Sequence, residues 1–131
     1  ENVHLSVITN KEILKKINTN AEKAFNRANM LYGAPTLILV STKLAGGSMD
    51  NVAYSNAASI VENMALAAVE LGVGACHIWG AVMAMAGNEE LVAKLKLPAG
   101  FTPVCALAVG KTEEKYEKRS IPADRIGVNY I

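Results

Sequence analysis

Apolar residues recur along the chain at different periods, and each period marks a different kind of element. Between His4 and Thr9, Leu5 and Val7 alternate with polar neighbours, as in a strand covered on one face. Thr9 with Glu12 three residues later makes a capping-box pattern, and Ile13, Leu14 and Ile17 follow at helical spacing. Asn18-Thr19-Asn20 reads as the end of that helix. A second capping pattern, Thr19 with Glu22, predicts another helix carrying Ala24, Phe25, Ala28 and Leu31 as far as Gly33. After Pro35, the run from Thr36 to Ser41 is continuously apolar and of strand length, which predicts a central strand covered on both faces.

The segment from Leu44 to Asp50, with its Gly46-Gly47-Ser48, reads as a loop. The next helix, Ser55 to Leu71, is unusual. From Asn51 to Gly87 the only formal charges are Glu62 and Glu70, and Ile60, Val61, Met64, Leu66, Ala68, Val69 and Leu71 cover most of the helix circumference. A helix apolar nearly all round needs cover on several sides. A partner subunit would provide it, and so would a central position in the core of a monomer. Gly72 and Gly74 supply left-handed positions to end this helix. Asn88 is read as the cap of a short helix with Glu89 and Glu90 in its first turn, closed by Leu97-Pro98. Thr102 to Gly110, entered through Pro103, is the last strong strand. Residues 111–131 differ in kind: charged as far as Arg125, then the β-prone Ile126-Gly-Val-Asn-Tyr-Ile131, as in an arm reaching to a sheet edge.

Composition narrows the function classes. A chain of 131 residues with 51% hydrophobic residues is one globular domain rather than a disordered segment. Its formal charge of +1, without a block of like charge, gives no polyanion-binding surface, so nucleic acid is not an expected partner. The apolar stretch of residues 57–71 is shorter than the roughly 18 to 20 residues a membrane span requires, and no secretory signal pattern opens the chain. A cytoplasmic location with no membrane partner is expected. Cys76 and Cys105 form no Cys-x-x-Cys and have no histidine cluster near them, so neither a metal site nor a redox motif is supported. His77 adjoins Cys76 but points to the opposite face of a strand, which makes the pair a poor catalytic dyad.

Alternating strands and helices suggest at first a doubly wound parallel sheet. No strand, however, runs into Gly-x-Gly-x-x-Gly, and Gly110-Lys111-Thr112 lacks the earlier glycine and the following helix of a phosphate-binding loop.

Four stretches in register resemble the nitroreductase family: Gly33-Ala-Pro-Thr-Leu-Ile-Leu-Val-Ser41, the Ser55–Leu71 helix with Asn63-Met-Ala-Leu-Ala-Ala68, Leu71-Gly-Val-Gly-Ala-Cys-His-Ile-Trp-Gly80, and Leu97-Pro-Ala-Gly-Phe-Thr-Pro-Val-Cys-Ala-Leu-Ala-Val-Gly110. The resemblance implies an α+β fold with a mainly antiparallel central sheet flanked by helices, a homodimer, FMN at the subunit interface, and a C-terminal arm exchanged between subunits. It makes residues 1–131 a single domain with 112–131 as the arm. Family members open with a basic, FMN-gripping segment ahead of the strand equivalent to residues 4–9, so this chain is expected to be N-terminally incomplete and its flavin site with it. By the same resemblance Ile78, Trp79 and Gly80 face the flavin ring, and Lys118 and Arg119 fall where the family places a basic residue against the FMN phosphate. No catalytic side chain is expected, because the flavin carries the chemistry. The implied activity is electron transfer from NAD(P)H to a nitroaromatic or quinone-type small molecule. Two alternatives stand beside it: a dimeric scaffold or binding module of the same fold without flavin, and a flavin enzyme of this fold with other chemistry, such as reductive dehalogenation or flavin breakdown.

Overall fold

Two strands with apolar residues on both faces dictate the layers. A computed structural model describes residues 2–115, 117–122 and 124–131. In chain order the elements are β1 (Val3–Ile8), α1 (Lys11–Phe25), β2 (Thr36–Lys43), a single 3-10 turn (Gly47–Met49), α2 (Asp50–Glu70), β3 (Gly74–Ile78), α3 (Gly80–Ala86), α4 (Glu89–Lys94) and β4 (Phe101–Gly110). The sheet order is β1-β2-β4-β3, and every neighbouring pair is antiparallel. On β2, Leu37 and Leu39 face α1, α3 and α4, packing with Ile17, Ala21, Ala81, Met85 and Leu91. Val40 faces the other way, toward Ala57 and Val61 of α2. The same division runs along β4, with Ala106 and Ala108 on the first side and Cys105 and Leu107 on the second. The α+β fold with an antiparallel sheet between helices is as expected.

β4 carries one residue more than β2 between Val40 and Ser41, so that Val40 faces Cys105 and Ser41 faces Pro103. The irregularity accommodates a proline, which has no N–H for the ladder, within an interior strand. No helix among the described residues is long and apolar enough to cross a membrane.

Several local expectations are corrected. The cap of α1 is Asn10, whose side chain accepts from Glu12 N–H at 3.0 Å and Ile13 N–H at 3.1 Å, and not Thr9. The break at Asn18-Thr19-Asn20 does not occur: α1 runs through it, because the amides that favour turns are bound to distant groups. Asn18 Oδ1 accepts from Leu31 N–H at 3.0 Å, and Asn20 Oδ1 accepts from Asn88 Nδ2 at 2.8 Å. The separate second helix up to Gly33 is likewise absent. α1 stops at Asn26, in the left-handed region at φ 48°, and turns follow. α2 starts at Asp50 rather than Ser55, where the Asp50 carboxylate accepts from Ala45 and Gly46 N–H at 2.8 and 2.9 Å. Gly72 does take the left-handed position after α2, at φ 67°, but Gly74 does not. Gly74 instead opens β3 where the chain passes close: a Cβ there would lie 2.8 Å from the Thr112 Cβ and 3.3 Å from the Gly110 carbonyl oxygen. α3 was not expected, while Asn88 caps α4 as predicted, accepting from Leu91 N–H at 3.1 Å.

The corrected cap can be tested. Asn10→Ala should lower unfolding stability by about 1 kcal/mol. Thr9→Ala should leave it within about 0.5 kcal/mol of the parent. Urea titrations with unchanged slope measure both, and the reverse ranking would restore Thr9 as the cap.

Candidate functional site

Ile78, Trp79 and Gly80, consecutive in the chain, form the turn from β3 into α3. Ile78 is the last residue of β3 and is buried among α1 and α3 side chains. Trp79 caps α3 without a side-chain hydrogen bond and leaves 55% of its surface exposed. Gly80 opens the helix, and a Cβ there would sit 3.0 Å from Met30 Cε and 3.6 Å from Phe25 Cε2. Its missing side chain therefore keeps α3 close to the end of α1 and the turn after it.

Between those segments lies a hollow of about 460 Å³ lined by Phe25, Arg27, Met30, Tyr32, His77, Ile78, Trp79 and Gly80. On the other side of Trp79 is a second hollow of about 400 Å³, more apolar, lined by Tyr54, Val82, Met83, Pro103 and Val104 among others. The indole thus stands between a polar-rimmed hollow and an apolar one. Arg27, Met30 and Tyr32 are members of this site that the sequence reading did not find. A signal was available: Asn26, Asn29 and Tyr32-Gly33 fall where left-handed backbone is needed, and asparagine before glycine-containing turns is suited to it.

Lys118 and Arg119 are exposed, in a stretch without helix or strand, and line neither hollow. The residues of the expected exchanged strand, from Ile126 to Ile131, are also exposed, with Tyr130 at 95%. A third hollow, about 380 Å³ between α1 and α4, is lined by Lys15, Lys16, Lys23 and Lys94 with Glu12 and Glu90. There the Lys94 ammonium bonds Glu90 and holds its carboxyl below the usual range, an ordinary pair one helical turn apart on a solvated surface.

His77 and Cys76 do point apart. His77 Nε2 lies 3.2 Å from the Glu62 carboxylate of α2, while Cys76 lines a separate recess with Tyr32 and Pro35. Both members of the His77–Glu62 pair are more than half exposed, so it contributes little to stability. Among the described residues, no three His, Cys, Asp or Glu side chains gather as a metal site.

An antiparallel sheet between helices, with hollows at the end of an edge strand, places the chain among the α+β proteins. The family model described as "Nitroreductase family" matches residues 1–111. The chain belongs to the nitroreductase family, a family of oxidoreductases. No curated protein matches the sequence. Among solved structures, the chain is similar to an FMN-bound nitroreductase from Bacteroides fragilis, with 22% identity over 98% of this chain and 76% of that one and a TM-score of 0.77. An FMN-bound nitroreductase from Desulfitobacterium hafniense has 19% identity over 98% and 76%, with a TM-score of 0.81. A putative NADH oxidase from Clostridium acetobutylicum has 21% identity over 99% and 76%, with a TM-score of 0.70. At these identities the likeness is one of fold.

The two thiols should behave differently. Cys76 is exposed, while burial pushes the Cys105 thiol up to about 11 from its ordinary 9.0. Iodoacetamide at pH 8 should modify Cys76 and leave Cys105 intact until the protein unfolds. Because folding favours the protonated Cys105, its contribution is fully present below pH 9 and is lost as pH rises through 11, by about 2 to 3 kcal/mol. Comparison with Cys105→Ala over that interval isolates the effect; equal slopes for the two proteins would contradict it.

Proposed function

We propose that this chain is an FMN-dependent oxidoreductase that carries electrons from NAD(P)H to nitroaromatic or quinone-type small molecules, and that it works as a homodimer. The observation that carries this reading is the hollow at Ile78–Trp79–Gly80, lined by the aromatic Phe25, Tyr32 and Trp79 and the apolar Met30 and Ile78 at the start of α3. A helix leaves its first N–H groups without internal acceptors, and Gly80 packs against Met30 and Phe25, which holds the start of α3 against the turn after α1. Those features fit a flat heterocycle whose edge accepts hydrogen bonds.

FMN, when bound, would supply the hydride and electron chemistry between reduced nicotinamide and an acceptor. The protein's part is placement. Backbone N–H groups at Trp79 and Gly80 offer fixed donors that favour the more electron-rich ring, and Ile78 holds the turn in register by its burial. Lys118 and Arg119 are proposed to bind the FMN phosphate, a group that suits the guanidinium fork. Residues 1–131 form the single domain of this reading, with 112–131 as its arm.

The homodimer is supported by α2, which buries only Ala57, Val61 and Ala68 within its own chain. Leu66, Val69 and Leu71 stay 59%, 46% and 76% exposed, a run of apolar surface that a two-fold related copy would cover.

Purified protein should show the visible absorption of oxidised flavin, bleached by NAD(P)H and restored by a quinone. Protein that is colourless, and stays so when given FMN, would favour the flavin-free dimeric scaffold instead. Leu66→Glu should leave the monomer folded, since the residue is exposed there, yet raise the dimer dissociation constant by about 100-fold, roughly 3 kcal/mol of buried-charge cost. Light scattering reads that outcome, and an undiminished dimer would exclude α2 as the interface. Deleting residues 112–131 should weaken dimerisation and flavin retention together. A truncated protein still dimeric and still yellow would refute both the exchanged arm and the phosphate role of Arg119.

A further inference from the structure

Hydrogen-bond acceptors are scarce around the hollow at Ile78–Trp79–Gly80. Of the side chains that line it, Arg27 and Trp79 can only donate, Phe25 and Ile78 do neither, and the Met30 thioether accepts weakly. The nearest backbone carbonyls already have partners. His77 C=O accepts from the Cys76 thiol at 3.6 Å, and Trp79 C=O accepts from Met83 N–H at 3.0 Å. The side-chain acceptors that remain are the Tyr32 hydroxyl and the His77 imidazole.

The imidazole is held by α2. Its Nε2 lies 3.2 Å from Glu62 Oε2. A carboxylate only accepts, so Nε2 carries the hydrogen of that bond, and the neutral ring then has its lone pair on Nδ1. Glu62 lies outside the hollow that His77 lines, so the pair draws Nε2 away from it and leaves Nδ1 for a ligand. Both partners are more than half exposed in the single chain. Glu62, however, shares a helix face with Leu66 and Val69, at i, i+4 and i+7, and these belong to the apolar surface assigned above to the dimer. A second copy there would exclude water from the pair and strengthen its hold on the ring.

A flavin needs such an acceptor. Along one edge of the oxidised ring, N5 and O4 accept hydrogen bonds and N3–H donates, and N3–H is the only donor the ring has. Backbone N–H groups at Trp79 and Gly80 match acceptors and can do nothing for N3–H. A donor buried without a partner loses its water and gains nothing in return.

We propose that His77 Nδ1 accepts from flavin N3–H, and that Glu62 is a positioning residue that keeps the lone pair on that nitrogen. The proposal rests on the flavin reading above and adds to it the side chain that recognises the ring's one donor.

3-Methyl-FMN, in which a methyl group replaces that hydrogen, is the probe. When flavin-stripped protein is titrated at pH 8 and flavin fluorescence is followed, FMN should bind about 10-fold more tightly than 3-methyl-FMN. His77→Ala should bring the two within about twofold, through weaker binding of FMN. His77→Gln, which keeps a carbonyl acceptor, should retain part of the preference, and Tyr32→Phe should retain all of it. Glu62→Gln can donate to Nε2 and so move the ring hydrogen to Nδ1, which should reduce the preference to about threefold. Because His77 and Glu62 are more than half exposed, these variants should keep the parent Tm. Equal affinity for the two flavins in the parent protein overturns the proposal, as does a preference that survives His77→Ala or disappears in Tyr32→Phe; a preference unchanged in Glu62→Gln overturns the role of Glu62. The two readings fail differently. Protein that binds neither flavin removes the oxidoreductase reading and this proposal with it, whereas protein that binds both equally removes this proposal alone.

Discussion

The structure depends on the pairing of β2 with β4. Both strands are interior to the sheet, and their side chains are buried on both faces, with Leu37, Leu39, Val40 and Leu107 at 1% exposure or less. A pair of that kind requires a layer of helix on each side. α1, α3 and α4 provide one layer, and alanines at positions 21, 81, 106 and 108 let that layer approach closely. α2 alone provides the other. The asymmetry has a consequence for assembly: three helices can cover one another's flanks, while a single helix leaves its outer side bare.

α2 lies in the least charged stretch of the sequence, and its Glu62 and Glu70 are exposed. α2 has good reason to be apolar toward β2 and β4, yet Leu66, Val69 and Leu71 point elsewhere and gain nothing from the chain's own core. Apolar surface of this extent destabilises a monomer in water and stabilises an association that removes it. Core packing and assembly are thus linked through one helix, whose inner residues stabilise the sheet and whose outer residues make the surface of the proposed dimer.

The hollow depends on the same frame at its margin. β3 is an edge strand, and its last residue, Ile78, is anchored in the three-helix layer. The chain must then turn at once into α3, which leaves Trp79 exposed between two hollows. Opposite, buried Leu31 anchors a strained turn. Two short irregular segments, each tied to the core by one buried aliphatic residue, face each other across the space that a ligand would enter. Irregular segments held by buried anchors are how a scaffold positions binding groups.

Much of this was legible in residue order. The continuous apolar runs of β2 and β4, the uncharged α2, the Asn88 cap and the family motifs each depend on neighbours close in the chain, and a linear reading captures them. Ile78, Trp79 and Gly80 were named from the motif and line one hollow, whereas Arg27 and Tyr32, which line it too, were read as part of a helix. The tertiary structure decided what local propensity could not. Asn18 and Asn20 look like a helix end because their amides compete for nearby backbone; they sit within α1 because their partners are Leu31 and Asn88, 13 and 68 residues away. α3, at seven residues with no capping side chain, is too short to declare a period and exists because β3 delivers it onto α1. Sequence determines which residues must be buried and which can cap. Only the fold determines which hydrogen-bond partner each polar side chain meets, and here that choice set the length of α1, the shape of the turn after it and the hollow between that turn and Trp79.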